Sequence, residues 1–167
     1  FDLKNMTPAS LESVHLVGEA GALAFADRNT FIGDSDFVRV PAKEMIDGQY
    51  LNRRAQKINI RRAGGRRRAG KPNVPSALRL SPHEGFEGPS TTHLSVIDAT
   101  GSAVSMTSSV ENAFGSRQMA SGFILNNQLT DFSFRPTQNG RDVANRATAD
   151  KRPRSSMSPT LVFNEDG

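Results

Sequence analysis

Apolar residues recur at near-helical spacing from Ser10 to Arg28. Leu11, Val14, Val17, Gly21 and Phe25 mark the period, with Ala20, Ala22, Ala24 and Ala26 between them. This pattern predicts a helix with Leu11, Val14, Val17 and Phe25 on its apolar stripe. Thr7-Pro8 serves as its N-terminal signal and Asp27-Arg28-Asn29 ends it. Gly33-Asp34-Ser35-Asp36 reads as a turn, and Pro41 precedes a second helical stretch from Ala42 to about Ala55, interrupted near Gly48. From Arg61 to Ser90 only a short strand at Leu78 to Leu80 is expected, and a loop of that length in a compact domain is functional or disordered.

Two alternating runs follow, Thr91 to Ile97 and Ser102 to Val110, on either side of Asp98-Ala99-Thr100-Gly101. A three-residue hairpin loop ends in a left-handed Gly, which places Ala99, Thr100 and Gly101 in the loop and pairs Asp98 with Ser102. Residues whose numbers sum to 200 then oppose one another, so Thr91 faces Ser109, His93 faces Thr107 and Ser95 faces Ser105. The other face carries Leu94, Val96, Val104, Met106 and Val110. Two readings fit this alternation: a strand pair with chemistry on its hydroxyl face, or a half-exposed hairpin with a Ser/Thr surface.

Gly122-Phe123-Ile124-Leu125 is a short strand-like run leading into Asn126-Asn127-Gln128-Leu129-Thr130-Asp131. These amides and carboxylates form either a turn that bonds itself or a polar recognition site. Arg135 to Asp150 is polar and loop-like. Lys151 to Thr160 leads into a terminal strand at Leu161-Val162-Phe163.

The net charge of +4 has one source. Arg53 to Lys71 holds nine bases and no acid, leaving twelve bases against seventeen acids elsewhere. Glycines at 64, 65 and 70 prevent a long helix there, and no aromatic residue is interleaved for base stacking. The segment reads as a solvated, mobile basic loop, with a nucleic-acid site as its rival. No apolar run reaches membrane-spanning length. Without Cys the chain has no disulfide, thiolate metal site or Cys nucleophile. His15, His83 and His93 lack ligand spacing, so neither metal nor cofactor is expected. A first residue other than Met and a strand running into a turn at the last residues suggest a piece of a larger protein.

Thr91 carries the candidate chemistry. It is either an ordinary β-branched strand residue or, if the chain is cut before it, a nucleophile with its own α-amine as general base. That amine has a reference pKa of roughly 7.7 to 8.0.

In sequence order, Ala24-Phe25-Ala26-Asp27-Arg28 with Gly33-Asp34, Thr91-Thr92-His93-Leu94-Ser95-Val96, Phe114-Gly115, Asn126 to Ser133 and Arg152 to Thr160 resemble the γ-glutamyltranspeptidase family of N-terminal nucleophile hydrolases. The resemblance implies a mixed α/β fold belonging to a four-layer αββα sandwich, truncated at both ends. Residues 1–90 would end the large subunit, as helices plus the basic mobile loop 61–90, and 91–167 would begin the β-rich small catalytic subunit. It further implies autoproteolysis between Ser90 and Thr91, with Thr91 as nucleophile and Ser109 as the hydroxyl beside it. Gln128 and Asp131 would hold the substrate α-amino group, and Ser155 and Ser156 its α-carboxylate. Substrates would be a γ-glutamyl donor such as glutathione and an acceptor amino acid, peptide or water. The other subunit segments would be partners, and nucleic acid would not. His93 is expected to brace the strand, because the α-amine supplies the base.

Two departures modify the expectation. Glu111 stands where well-studied members carry Asn, which changes the charge of the pocket and opens the acyl specificity towards a cephalosporin (glutaryl-type amide) acylase. The family's Gly-Gly oxyanion motif and carboxylate-binding Arg would lie outside the segment, so the segment alone is expected to be a very poor enzyme. From a different class, a non-catalytic module binding an acidic partner through the basic loop is the alternative. A periplasmic or extracellular location is expected for the whole protein, with a cytoplasmic one as the alternative.

Overall fold

A computed structural model describes residues 1–75, 78, 80–83 and 91–164. Helices α1 (Leu11–Phe31), α2 (Ala42–Met45) and α3 (Gly48–Ala55) come first. Strands β1 (Leu80–Ser81), β2 (Thr91–Ile97), β3 (Ala103–Ser109), β4 (Met119–Ala120), β5 (Phe123–Ile124), β6 (Thr137–Gln138) and β7 (Arg141–Val143) follow. Among the described residues the fold is mixed α/β with three small sheets, ordered β1-β7-β6, β2-β3 and β4-β5. Among the described residues no helix is long and apolar enough to cross a membrane. One compact unit gathers residues 1–84 and 133–152, and a second gathers 85–132 and 153–167.

In the first unit α1 is capped by Ser10, whose hydroxyl accepts the Ser13 amide at 3.2 Å. The cap thus lies beyond the expected Thr7-Pro8 signal, and the helix runs three residues past Arg28 to Phe31. The expected apolar stripe is also corrected. Leu11, Val14 and Val17 are exposed, whereas Leu16, Leu23, Asp27, Thr30 and Phe31 are buried. The helix turns this face inward because Asp27 finds partners there.

The Tyr50 hydroxyl donates to Asp27 Oδ2 at 2.9 Å, and the Gly70 amide donates to Oδ1 at 2.6 Å. Arg54 Nε lies 3.0 Å from Oδ2, while Arg54 Nη2 donates to the Leu23 carbonyl at 2.8 Å. A buried carboxylate needs such a set, since an unpaired one would ionise only at great cost. Burial and the hydrogen bond to Asp27 push the Tyr50 hydroxyl well above its ordinary pKa. Tyr50 and Arg54 reach Asp27 from one helix, α3. The Asp47 carboxylate caps that helix by accepting the Tyr50 amide at 3.0 Å, which is also why the helical stretch breaks before Gly48.

The basic segment is anchored to α1 at several points. Arg67 pairs with Glu19, and the Gly64 amide donates to the same carboxylate at 3.0 Å. The strand expected at Leu78 to Leu80 is shifted: Leu78 lies outside any strand, and β1, Leu80–Ser81, pairs in parallel with β7, Leu80 opposite Asp142 and Ser81 opposite Val143. The Ser81 hydroxyl adds a bond to the Gln138 carbonyl at 2.6 Å.

Asp34 joins positions 118 apart. It accepts from the Arg152 amide at 2.9 Å, from Nε at 3.0 Å and from Nη2 at 2.7 Å. The Arg152 hydrogen bonds hold the Asp34 carboxyl far below the usual carboxylate range. Its stabilising contribution is therefore complete above the unfolded pKa of about 4 and is lost as pH falls below that value. Gly33 permits the approach, for a Cβ there would meet the Ala144 carbonyl oxygen at 2.5 Å. Lys151 is buried and donates to the Ala144 and Arg146 carbonyls at 2.6 and 3.1 Å.

In the second unit β2 and β3 pair antiparallel over seven residues each, from Thr91 opposite Ser109 to Ile97 opposite Ala103. The loop is the expected one: Gly101 has φ +90° and the Asp98 amide donates to the Ser102 carbonyl at 3.0 Å. Phe123–Ile124 of the anticipated 122–125 run pairs with Met119–Ala120. The strand expected at Leu161 to Phe163 is absent. It meets no partner strand among the described residues, so its backbone has no ladder to join.

Asp27→Ala is expected to destabilise the protein by about 3 to 5 kcal/mol, because it strands the Arg54 charge and the Tyr50 hydroxyl in a buried site. Glu44→Ala, which removes the exposed pair with Arg39, is expected to cost no more than about 1 kcal/mol. Urea denaturation midpoints of the two variants measure the difference.

Candidate functional site

The hairpin register places Thr91, the first residue of β2, directly across from Ser109, the last of β3. Opposed residues have Cβ atoms roughly 4.5 to 5.5 Å apart, within reach of two hydroxyls. Thr91 is exposed. Ser90, the expected other half of the cleaved bond, lies outside the described residues. On the same face His93 Nδ1 is 2.8 Å from Thr107 Oγ1 and Nε2 is 3.1 Å from Ser95 Oγ. Both ring nitrogens are thus engaged within the strand pair, as a bracing residue requires.

The chain leaves β3 through a left-handed turn at Glu111, φ +74°. Such a conformation costs a non-glycine residue roughly 1 to 2 kcal/mol and needs support from its surroundings. Two hydrogen bonds supply it. The Glu111 amide donates to Ser109 Oγ at 2.8 Å, and the Asn112 amide donates to Asn127 Oδ1 at 2.9 Å. Asn127 also donates its amide to the Val110 carbonyl at 3.3 Å, so the 126–131 segment is fastened to the end of the hairpin.

That fastening brings Gln128 and Asp131 to Glu111. Gln128 Nε2 donates to Asp131 Oδ2 at 3.0 Å within a single 3-10 turn, Gln128–Asp131. Glu111 is 8% exposed, and its Oε2 is buried without a hydrogen-bond partner. Burial pushes the Glu111 carboxyl above its ordinary pKa, and the neighbouring Asp131 carboxylate and its hydrogen bond add to the shift. A positive group placed beside the buried Glu111 carboxylate would offset both its burial and the repulsion from its neighbour.

Of the two readings of the Asn126 to Asp131 cluster, the self-bonded turn is visible in its hydrogen bonds. Asn126 and Asn127 bond the turn, Asn126 Oδ1 accepting the Gln128 amide at 2.9 Å, while Gln128 bonds Asp131, whose carboxylate adjoins Glu111. Asn127 belongs to the anticipated cluster, whereas its partner Asn112 is not singled out by the sequence pattern; the turn preference of Asn is the signal that points to it. Ser155 and Ser156 are exposed, and the described bond of Ser155 is local, its hydroxyl accepting the Met157 amide at 3.1 Å. The geometry assembles Thr91 with Ser109, and Glu111 with Gln128 and Asp131. It assigns no shared contact to the two serines.

Comparison with known proteins gives a consistent picture. Residues 1–167 match the family model described as Gamma-glutamyltranspeptidase. The chain is 36% identical over 174 residues to the glutathione hydrolase proenzyme of Bacillus subtilis (strain 168), covering 99% of this chain and 29% of that protein. It is 38% identical over 173 residues to the glutathione hydrolase proenzyme of Escherichia coli (strain K12), covering 99% of this chain and 28% of that one. The acylase ACY 1 proenzyme of Pseudomonas sp. (strain SE83) is 32% identical over 167 residues, covering 99% of this chain and 27% of the relative. The crystal structure of the Helicobacter pylori γ-glutamyltranspeptidase T380A mutant matches at 43% identity and a TM-score of 0.38, covering 45% of this chain and 44% of that one. The chain therefore spans under a third of the curated relatives it matches.

A carboxyl whose folded pKa is raised binds more protons in the folded than in the unfolded state, so stability falls as pH rises through that window. Wild-type thermal midpoints are expected to fall as pH rises from the ordinary value near 4.5 towards neutrality. Glu111→Gln should remove that part of the slope, as read by thermal unfolding at several pH values.

Proposed function

The chain belongs to the γ-glutamyltranspeptidase family, and from that premise we propose that it carries the nucleophile and part of the acyl-donor site of a γ-glutamyl transferase and hydrolase. The observation that carries this reading is the pairing of Thr91 with Ser109, followed directly by the Glu111, Gln128 and Asp131 cluster.

Maturation begins with attack of Thr91 Oγ on the Ser90 carbonyl carbon. The Ser90–Thr91 amide becomes an ester, and water hydrolyses the ester to leave a Ser90 carboxylate and a free Thr91 amine. In each turnover that amine takes the Thr91 hydroxyl proton as the oxygen attacks the γ-carbonyl of the donor. The leaving amine departs with a proton, and the acyl group remains as an ester on Thr91. Water or an acceptor amine then takes the acyl group and restores the hydroxyl. Ser109 orients the Thr91 oxygen. Ser155 and Ser156 hold the donor α-carboxylate through their hydroxyls. The hairpin β2-β3 is one part of the four-layer sandwich in this proposal, which needs the rest of the protein for its oxyanion donors.

The Glu111 and Asp131 pair bears on the choice of donor. A γ-glutamyl group brings an α-ammonium that ion-pairs with both carboxylates. A glutaryl group brings no cation, and the pair must then keep a proton. This supports the aminated donor over the glutaryl-amide alternative, although the Pseudomonas acylase is a relative at 32% identity.

Thr91→Ala is expected to leave a single uncut chain and to lower γ-glutamyl anilide hydrolysis by roughly a thousandfold or more. Intact mass should show two chains in the wild type, the later one beginning at Thr91. Full activity in the variant would overturn the proposal. Asp131→Asn should raise the ratio of glutaryl to γ-glutamyl amide hydrolysis, measured in parallel assays with the two substrates.

A further inference from the structure

Two adjoining cavities of the first unit, about 690 and 400 Å³, share Arg66 and Pro82. The larger is lined by Arg66, Arg67, Arg68, Lys71 and Arg141, and the smaller adds Arg135; among the described residues no carboxylate lines either. Two acids bonded to the residues around the larger cavity are already committed. Glu19 is held by Arg67 and the Gly64 amide, and Asp27 by Tyr50, Arg54 and the Gly70 amide. Among the described residues no carboxylate pairs with Arg68, Lys71, Arg135 or Arg141.

The end of α1 also borders the larger cavity, through Asn29, Thr30 and Phe31. A helix C-terminus carries only about half a negative charge, which cannot balance four cations. Phe31, Leu80 and Pro82 supply an apolar wall on which solvent screening is weaker than in open water. Arg68, Arg135 and Arg141 present planar forks of donors, which match the oxygens of a phosphate better than a lysine-rich surface would.

We infer that these cavities form one groove that binds an anion through two or more phosphate groups, either a soluble oligophosphate or neighbouring lipid headgroups. This site lies in the first unit and does not depend on the chemistry proposed for Thr91.

Binding of inorganic tripolyphosphate to the full chain at low salt, followed by calorimetry, tests the assignment. Phosphatidylglycerol vesicles, with phosphatidylcholine vesicles as blank, form the second arm. The double variant Arg68→Gln with Arg141→Gln is expected to weaken binding at least about tenfold, and added salt should weaken it further. Lys4→Gln with Lys43→Gln removes the same charge elsewhere and should change binding less than twofold or so. Tripolyphosphate binding with this pattern assigns a soluble ligand, and vesicle binding alone with the same pattern assigns the headgroups. Binding to neither, equal loss in both double variants, or equally tight binding of the tricarboxylate tricarballylate would overturn the inference.

Discussion

The Asp98 carboxylate accepts hydrogen bonds from the Thr100 amide at 2.8 Å, the Ser102 amide at 2.9 Å and the Thr100 hydroxyl at 2.7 Å. These bonds, the Thr100 hydroxyl foremost, hold the Asp98 carboxyl below its ordinary pKa. They define a three-residue loop that only a glycine at 101 closes comfortably. Everything at the far end of the hairpin follows from that loop. A slip of one residue would exchange the two faces of β2, sending Thr91 to the side of Leu94 and Val96. Ser109 would then no longer stand across from it, and the Ser109 hydroxyl could not both face Thr91 and support the strained turn at Glu111.

The site thus grows outward from a locally encoded register. Glu111 is carried into its buried position by a left-handed turn, and the turn is held by Ser109 and Asn127. Asn127 in turn delivers Gln128 and Asp131. The apparent defect in this arrangement is a buried Glu111 oxygen without a hydrogen-bond partner, set beside the Asp131 carboxylate. Strain and unsatisfied polarity concentrate where a ligand can repay them.

Much of this was readable from residue types. The hairpin loop follows from Asp98 and Gly101, and the pairing of Thr91 with Ser109 follows from counting outward. The break at Gly48 and the short strand at Phe123 also lie in local pattern. What was not legible depends on distant partners. The inward face of α1 is chosen by Asp27 meeting Tyr50, Arg54 and Gly70, so the more regular stripe of Leu11, Val14 and Val17 is left exposed. Asp34 and Arg152 lie 118 residues apart, and no periodicity links them. The basic segment could be counted from composition, but its anchoring through Glu19 could not. The expected terminal strand failed because strand propensity without a neighbouring edge has nothing to pair with.

The central claim is that the Thr91 oxygen is the acyl acceptor. Rapid acid quench of the full protein during turnover of a γ-glutamyl donor, followed by peptide mapping, reads this directly. The account predicts a γ-glutamyl group on the peptide that begins at Thr91, attached at its hydroxyl. An adduct on Ser109 or on any other side chain, with Thr91 unmodified, would contradict it.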